Sequence, residues 1–136
     1  MTTYLVLIEA KDFRKHRIET KQRIEGGNDP LWLEVSKKMR DSVAVTVGAG
    51  RNAAIDKDAW KACLELLRNE KKKIHLILWL EQDPPPYALK ARRNRELSDR
   101  YLLRKLKNSL DWLTPKVQVC DVSTHPFPGN LSISYV

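Results

Sequence analysis

The chain has 136 residues, of which 42% are apolar, so its length and composition suit one domain over residues 1–136 and argue against disorder. Its 25 lysines and arginines exceed 17 acids and give a net charge of +8, which favours polyanionic partners, nucleic acid before anionic lipid. No run approaches the ~20 apolar residues of a membrane helix, and no signal peptide is indicated. The two cysteines are far apart in the sequence, which predicts a reduced, cytoplasmic protein without structural zinc.

The first third of the chain predicts a strand, a loop and a helix. Residues 4–11 read as a strand with few polar interruptions, and residues 12–28 read as a polar, basic loop. Asp29 and Pro30 are typical of a helix start. Apolar residues then recur every four positions, which indicates an apolar stripe on a helix: Leu31, Val35, Met39, Val43 and Val47. The glycines of Gly48-Ala49-Gly50 predict the end of this helix.

The rest of the chain alternates helices and strands. The predicted elements are a helix starting at Asp56 or Asp58, a strand over 74–80, a helix over 88–114, a strand over 117–122 and an edge strand over 131–136. The strand over 74–80 is almost wholly apolar, which predicts helices on both of its faces. We therefore expect an α/β domain with a small mixed sheet flanked by helices. The final edge strand suggests a homodimer, because unpaired edges invite pairing with a second copy.

The first predicted strand ends in charged residues. Side chains alternate along a strand, so Glu9 and Lys11 share one side and point together towards a rim or cleft. Ligand sites of α/β sheets gather at strand ends. A carboxylate such as Glu9 suits Mg²⁺, and Lys11 suits the stabilisation of charge on a phosphate. The pair favours phosphodiester hydrolysis; the alternative is a solvated ion pair at a strand end.

Glu9-Ala10-Lys11, on a strand that begins with LVLI, resembles the E-x-K half of the PD-(D/E)xK nuclease, or restriction-endonuclease-like, superfamily. The resemblance spans residues 4–122, where a basic segment, an amphipathic helix, a strand, a basic helix and a strand follow the motif. It implies a restriction-endonuclease-like fold and a Mg²⁺-dependent nuclease acting on DNA or RNA. It also implies that Glu9 and Lys11 are catalytic and that Glu9 binds the metal. Asp12 is the candidate for a second metal ligand by composition only.

The superfamily also has an acidic metal ligand on an upstream strand, and residues 1–8 contain no acid. We therefore expect a fold that lacks N-terminal elements, a ligand supplied from elsewhere, or a degenerate site. The acids that composition offers as substitutes are Asp12, Glu34, Glu81 and Asp83. The alternative function is a non-catalytic nucleic-acid-binding or assembly module of the same fold.

Two basic segments are candidates for contacts with a phosphate backbone. Arg14, Lys15 and Arg17 follow the E-x-K strand in a basic segment that extends to Arg23, and Arg92 and Arg93 lie near the start of the longest predicted helix. For both segments the alternative is a solvated surface. A third hypothesis places a nucleotide cofactor at residues 48–53, where a G-x-G-x-x-A pattern occurs without the preceding strand that this fingerprint needs.

Overall fold

The computed structural model describes residues 3–69 and 73–127 of the chain. The elements follow in the order β1 (Leu5–Asp12), α1 (Arg17–Ile24), α2 (Leu31–Asn52), α3 (Lys57–Arg68), β2 (Ile74–Glu81), α4 (Leu89–Leu110) and β3 (Val117–Cys120). None of these helices is both long and apolar enough to cross a membrane. The predicted strand over 131–136, with the dimer contact expected from it, lies outside the described residues.

The sheet is built around β2. This strand lies between β1 and β3 and pairs with both in parallel, and its pairing with β1 runs from Leu5↔Ile74 to Asp12↔Glu81. A parallel neighbour on each side suits the apolar sequence of β2. The α/β class is thereby confirmed. The described sheet is wholly parallel rather than mixed, because each connection is a helical crossover and not a hairpin.

The main core lies between one face of this sheet and the helices. Alternate residues of β2 form the centre of that face: Ile74, Leu76, Leu78 and Leu80. Buried residues of three helices pack on them: Ile24, Leu31, Val35, Met39, Leu102, Leu106 and Leu110. Strand order β1-β2-β3 explains the one-sided arrangement, since two right-handed crossovers that advance in the same direction place their helices on the same face. The sequence, in contrast, predicts helices on both faces.

The opposite face of β2 is covered in part by the chain that follows β3. The ring of His125 stacks on Trp79 with 5.2 Å between centroids. The backbone N–H of Val122 donates to Glu81 Oε1 at 2.8 Å, and Trp79 Nε1 donates to the same oxygen at 3.0 Å. The buried carboxylate of Glu81 is therefore satisfied by two donors, as buried polar groups require.

Two features near the start of α2 differ from the predictions. Residues 17–24 form α1, although the sequence reads as a loop there, because a helix of only eight residues gives little periodicity. Its buried residues, Thr20 and Ile24, lie four positions apart and face inward. Asp29 makes no capping hydrogen bond, and Pro30 instead occupies the N-cap position of α2.

The predicted end of α2 at the glycines is wrong, because the helix continues to Asn52. Gly50 instead permits a close approach of α3. A Cβ atom at Gly50 would lie 2.6 Å from the Cβ of Leu64 and 3.1 Å from the carbonyl oxygen of Trp60. A Cβ atom at Gly48, on the other side of the helix, would have no atom within 4 Å. Of the two glycines of α2, only Gly50 is required by packing.

These two glycines give a matched test of the contact between α2 and α3. We expect Gly50→Ala to lower the free energy of unfolding by about 1–3 kcal/mol, because the added methyl group overpacks the contact with Leu64. Gly48→Ala should raise it by about 0.5–1 kcal/mol, because alanine favours the helix and meets nothing. Urea unfolding followed by circular dichroism measures both. Equal changes in the two variants would contradict the close approach.

Candidate functional site

β1 presents Glu9 and Lys11 on the face that α2 covers. Leu5 and Leu7 precede them in the same row of alternate side chains. Leu5 is buried, and Leu7 packs against the hydrophobic core. The Glu9 and Lys11 side chains are each 18% exposed, and Lys11 Nζ lies 3.5 Å from Glu9 Oε1. The two side chains therefore meet at one point near the carboxyl end of the strand, as the alternation along a strand predicts.

α2 adds a second carboxylate and a second ammonium at this point. Glu34 and Lys38 are one helical turn apart and both face β1. Lys11 Nζ lies 2.6 Å from Glu34 Oε1, and Lys38 Nζ lies 2.8 Å from Glu9 Oε1. A longer contact of 3.7 Å joins Lys38 Nζ to Glu34 Oε1. The four groups alternate in charge and connect the strand to the helix.

α1 supplies a third cation. Arg23 Nη2 donates to Glu34 Oε2, and Arg23 Nε donates to the carbonyl oxygen of Asp29 at 3.1 Å. The guanidinium also lies 5.7 Å from the ring centroid of Phe13, within the range of a cation–π interaction. We call the following five residues the ion-pair cluster: Glu9, Lys11, Arg23, Glu34 and Lys38. The carboxylate of Asp29 lies 3.4 Å from Arg23 Nε and balances the third cation.

Two members of the cluster, Glu34 and Lys38, have pKa values shifted in favour of their charged forms. The hydrogen bond from Lys11, followed by that from Arg23, lowers the pKa of Glu34 to about 2. The hydrogen bond and charge of Glu9 raise the pKa of Lys38. Hydrogen bonds to the charged form stabilise it, so the cluster can bind an ion but offers no carboxylic acid at Glu34 near pH 7.

Asp12, predicted as a metal ligand with Glu9, lies on the other side of the strand, as its position next to Lys11 requires. Arg14 binds it with two hydrogen bonds, Nε to Oδ1 at 2.9 Å and Nη2 to Oδ2 at 2.7 Å. The side-chain hydrogen bond from Arg14 is the main cause that lowers the pKa of Asp12 to about 2. The structure therefore does not bring Asp12 together with Glu9.

Of the acids that composition offers as substitutes, only Glu34 joins Glu9. Glu81 is held by donors on the opposite face of the sheet. Asp83 Oδ2 accepts the backbone N–H of Lys15 at 2.7 Å and holds that residue in a left-handed conformation. Within residues 3–69 and 73–127, no three His, Cys, Asp or Glu side chains form a ready metal-binding group.

The two basic segments lie at the same end of the sheet. Because all three strands are parallel, the chain that follows β1 and the start of α4 both lie at the carboxyl edge. Lys15 is exposed there, and Arg17 is the first residue of α1. Arg92 and Arg93 are exposed in the first turns of α4. The carboxyl edge therefore combines the E-x-K residues with the predicted phosphate-binding residues.

Sequence reasoning named Glu34 only as one of four acids, placed Arg23 in the basic segment beside the site, and missed Lys38. One signal was available, since Glu34 and Lys38 stand four positions apart directly beside Val35 and Met39 of the apolar stripe. Charged residues that border a buried stripe point towards the strand on which the helix packs. The contact of Arg23 with Glu34 gave no such signal, because it depends on the fold of α1 against α2.

No family model, no curated protein and no solved structure matches this chain.

The cluster makes a pH-dependent contribution to stability. The pKa of Glu34 is about 2 in the folded protein, below its ordinary value of 4.5, so its contribution is present above about pH 4.5 and is lost as pH falls towards 2. We expect Glu34→Gln to lower the free energy of unfolding at pH 7 by about 1–2 kcal/mol, which allows for solvent screening of this partly exposed side chain. The difference from wild type should shrink at pH 3.

Urea unfolding at pH 7, 5 and 3 measures this difference. Glu65→Gln, at an exposed position of α3, is the matched control and should show little change at any of the three values. If Glu34→Gln lowers the free energy of unfolding as much at pH 3 as at pH 7, the ionised form of Glu34 does not contribute to stability.

Proposed function

We propose that the chain is a metal-dependent nuclease-like domain of the restriction-endonuclease type, which acts on phosphodiesters of DNA or RNA at the ion-pair cluster. The observation that carries the proposal is the position of Glu34, which places a second carboxylate beside Glu9 and Lys11. The E-x-K resemblance requires a second acid beside the motif. α2 provides one from a different part of the chain.

Glu9 and Glu34 fit a divalent cation in number and chemistry. Mg²⁺ is usually held by one or two carboxylates together with substrate phosphates. The Oε1 atoms of both residues contact the same ammonium, that of Lys11, so both oxygens face one point. A cation bound there supplies polarisation of a phosphate and acidification of a water molecule. Partly exposed ion pairs contribute only ~0.2–1 kcal/mol each, so a divalent cation can compete with Lys11 and Lys38 for the carboxylates.

The cations of the cluster have distinct roles towards a phosphate. Lys11 would stabilise the negative charge that develops on the phosphate in the transition state. Arg23 and Lys38 come from two helices and would bind non-bridging oxygens by charge-assisted hydrogen bonds. The net charge of +8 of the whole chain supports an anionic substrate, because it attracts polyanions before contact.

Residues at the carboxyl edge would hold the strand on either side of the cluster. Lys15, Arg17, Arg92 and Arg93 are the candidates, and contacts of this type to phosphates give affinity without reading sequence. Arg14 was predicted to have the same role. Its side chain is engaged by Asp12, so a phosphate would have to replace that carboxylate.

A second candidate is a nucleic-acid-binding module of the same fold that does not cleave. The ion-pair cluster also supports this function, because lysine and arginine side chains already bind both carboxylates. In this case phosphates would bind to Lys11, Arg23 and Lys38, and Glu9 and Glu34 would only orient these cations.

A cleavage assay distinguishes the two candidates. We expect plasmid or single-stranded substrates to be cut with Mg²⁺ or Mn²⁺ and not with EDTA. Glu9→Gln, Lys11→Met and Glu34→Gln should each lower the rate by about 10²–10³-fold, because each removes a charge that acts on the phosphate or its metal. Glu65→Gln is the control and should cut normally. Nucleic acid that is retarded in a gel yet intact under every metal condition would reject the nuclease and favour the binding module.

The salt dependence of binding tests the basic start of α4. We expect Arg92→Gln/Arg93→Gln to weaken binding and to reduce the slope of log K against log salt by about 1.4–1.8, since each phosphate contact contributes ~0.7–0.9. Fluorescence anisotropy between 50 and 200 mM salt measures the slope. The control Arg51→Gln/Arg68→Gln removes exposed arginines at the ends of α2 and α3. Equal slopes for the two double variants would place the binding surface elsewhere.

A further inference from the structure

A cavity of about 220 Å³ opens at the carboxyl edge of the sheet. Its walls come from the segments after β1 and β2, from α1 and from the first turns of α4. Most of the lining surface is apolar, and the apolar residues that line the cavity are Phe13, Ile24, Pro85, Pro86 and Ala91. The charged residues in its walls are Lys21, Glu25, Asp83 and Arg95. The volume equals that of about seven water molecules at ~30 Å³ each and is smaller than the ~300–1,000 Å³ of sites for drug-sized ligands. The cavity therefore suits a group the size of one ring system.

Two buried polar atoms in the wall of this cavity have no hydrogen-bond partner among the described residues. They are Thr20 Oγ1 and Arg95 Nε. Thr20 is only 6% exposed, and the nearest carboxylate oxygen to Arg95 Nε, on Asp99, is 3.6 Å away. The Arg95 guanidinium forms an ion pair with Asp99 and donates through Nη1 to the carbonyl oxygen of Asp83. Thr20 Oγ1 is therefore the clearer sign of a missing ligand atom, because buried polar groups are almost always paired. Arg95 can only donate, whereas the Thr20 hydroxyl donates or accepts.

The cavity and the ion-pair cluster share a wall. Phe13 lines the cavity, and its ring lies under the guanidinium of Arg23, which binds Glu34 in the cluster. Lys21, two positions before Arg23 on α1, also lines the cavity. A phosphate at the cluster and a ring in the cavity would thus lie on two sides of Phe13.

We propose that the cavity binds one unstacked base of a nucleic-acid strand whose phosphate lies at the ion-pair cluster; this inference rests on the proposed function. The flat faces of a base match the apolar walls formed by Phe13 and Pro85. Ring nitrogens and carbonyl oxygens of a base would accept hydrogen bonds from the Arg95 guanidinium. The Thr20 hydroxyl would form a hydrogen bond with either a donor or an acceptor on the edge of the base. Bases in a duplex are stacked and paired, so the substrate class is single-stranded or locally opened nucleic acid.

A titration with nucleoside monophosphates tests the cavity directly. We expect the four common ribonucleotides to shift the amide NMR signals of Phe13, Thr20 and Ala91 with saturation. Ribose 5-phosphate, which lacks the base, should leave these signals unchanged. Ala91→Leu fills the cavity from α4 and should abolish the shifts; if this variant fails to fold, Thr20→Val, which removes only the orphan hydroxyl, gives the comparison.

A second measurement uses short single strands with and without bases. We expect wild type to bind an intact oligonucleotide about 5- to 100-fold more tightly than a base-free strand of equal length and charge, as base stacking on proteins commonly contributes. Thr20→Val should reduce this ratio. The matched control is Thr46→Val, which changes a buried threonine of α2 whose hydroxyl donates to the carbonyl oxygen of Ser42.

The outcomes separate this inference from the proposed function. Equal binding of intact and base-free strands, with no nucleotide shifts, overturns the base site and leaves the nuclease-like function standing. Nucleotide shifts at the cavity without binding of any strand support the base site and reject the proposed function. Shifts produced by phenol but by none of the nucleotides overturn the base site, because they assign the cavity to apolar ligands.

Discussion

The parallel register of β1 against β2 determines where the other parts of the molecule lie. Lys11 pairs with Leu80 in this register, so the E-x-K residues share the face that carries the apolar row of β2. A slip of one residue would turn Glu9 and Lys11 to the opposite face, away from α2. Parallel pairing also requires a long crossover, which α1, α2 and α3 supply. The register therefore brings the charged end of β1 beneath the flank of a helix that could not otherwise reach it.

Apolar contacts, and not the ion pairs, hold α2 on the sheet. Leu31, Val35 and Met39 are each no more than 3% exposed, and burial of such side chains contributes ~1.5–3 kcal/mol apiece. The partly exposed ion pairs contribute ~0.2–1 kcal/mol each. The charged side chains of the cluster can therefore exchange partners while the helix stays in place. A site that binds and releases a phosphate or a metal needs this combination of a fixed backbone and replaceable ion pairs.

The sequence predicts the parts of this fold that depend on local periodicity. Helical spacing predicts the apolar start of α2, and the apolar run over 74–80 predicts a strand. Side-chain alternation along a strand predicts that Glu9 and Lys11 meet. The same alternation places Asp12 opposite Lys11, so its assignment as a ligand beside Glu9 conflicted with information already in the sequence. Gly50 was predicted to end α2, whereas it allows α3 to pack closely. The sequence alone does not distinguish these two roles of a glycine, because the second depends on a helix that follows later in the chain.

The sequence did not single out the second carboxylate, although the position of Glu34 beside the apolar stripe of α2 was a signal for it. Four acids were available, and the choice of Glu34 depends on the rotation of α2 over β1, which long-range packing sets. The one-sided arrangement of the helices also depends on strand order, which periodicity does not encode. The candidate site thus lies where a local motif meets a tertiary contact, and the sequence identifies the motif more clearly than the contact.

The start of α4 carries positive charges where they destabilise the helix. Its first turn contains no acid, and Arg92 and Arg93 follow near the positive end of the helix dipole, where a cation is unfavourable by ~0.3–1 kcal/mol. Conflicts of this kind are expected at functional sites and not in regions selected for stability alone. An anion at this edge would interact favourably with the helix terminus and with both arginines. The ion-pair cluster and the cavity lie at the same edge, so one strand of nucleic acid could satisfy all three.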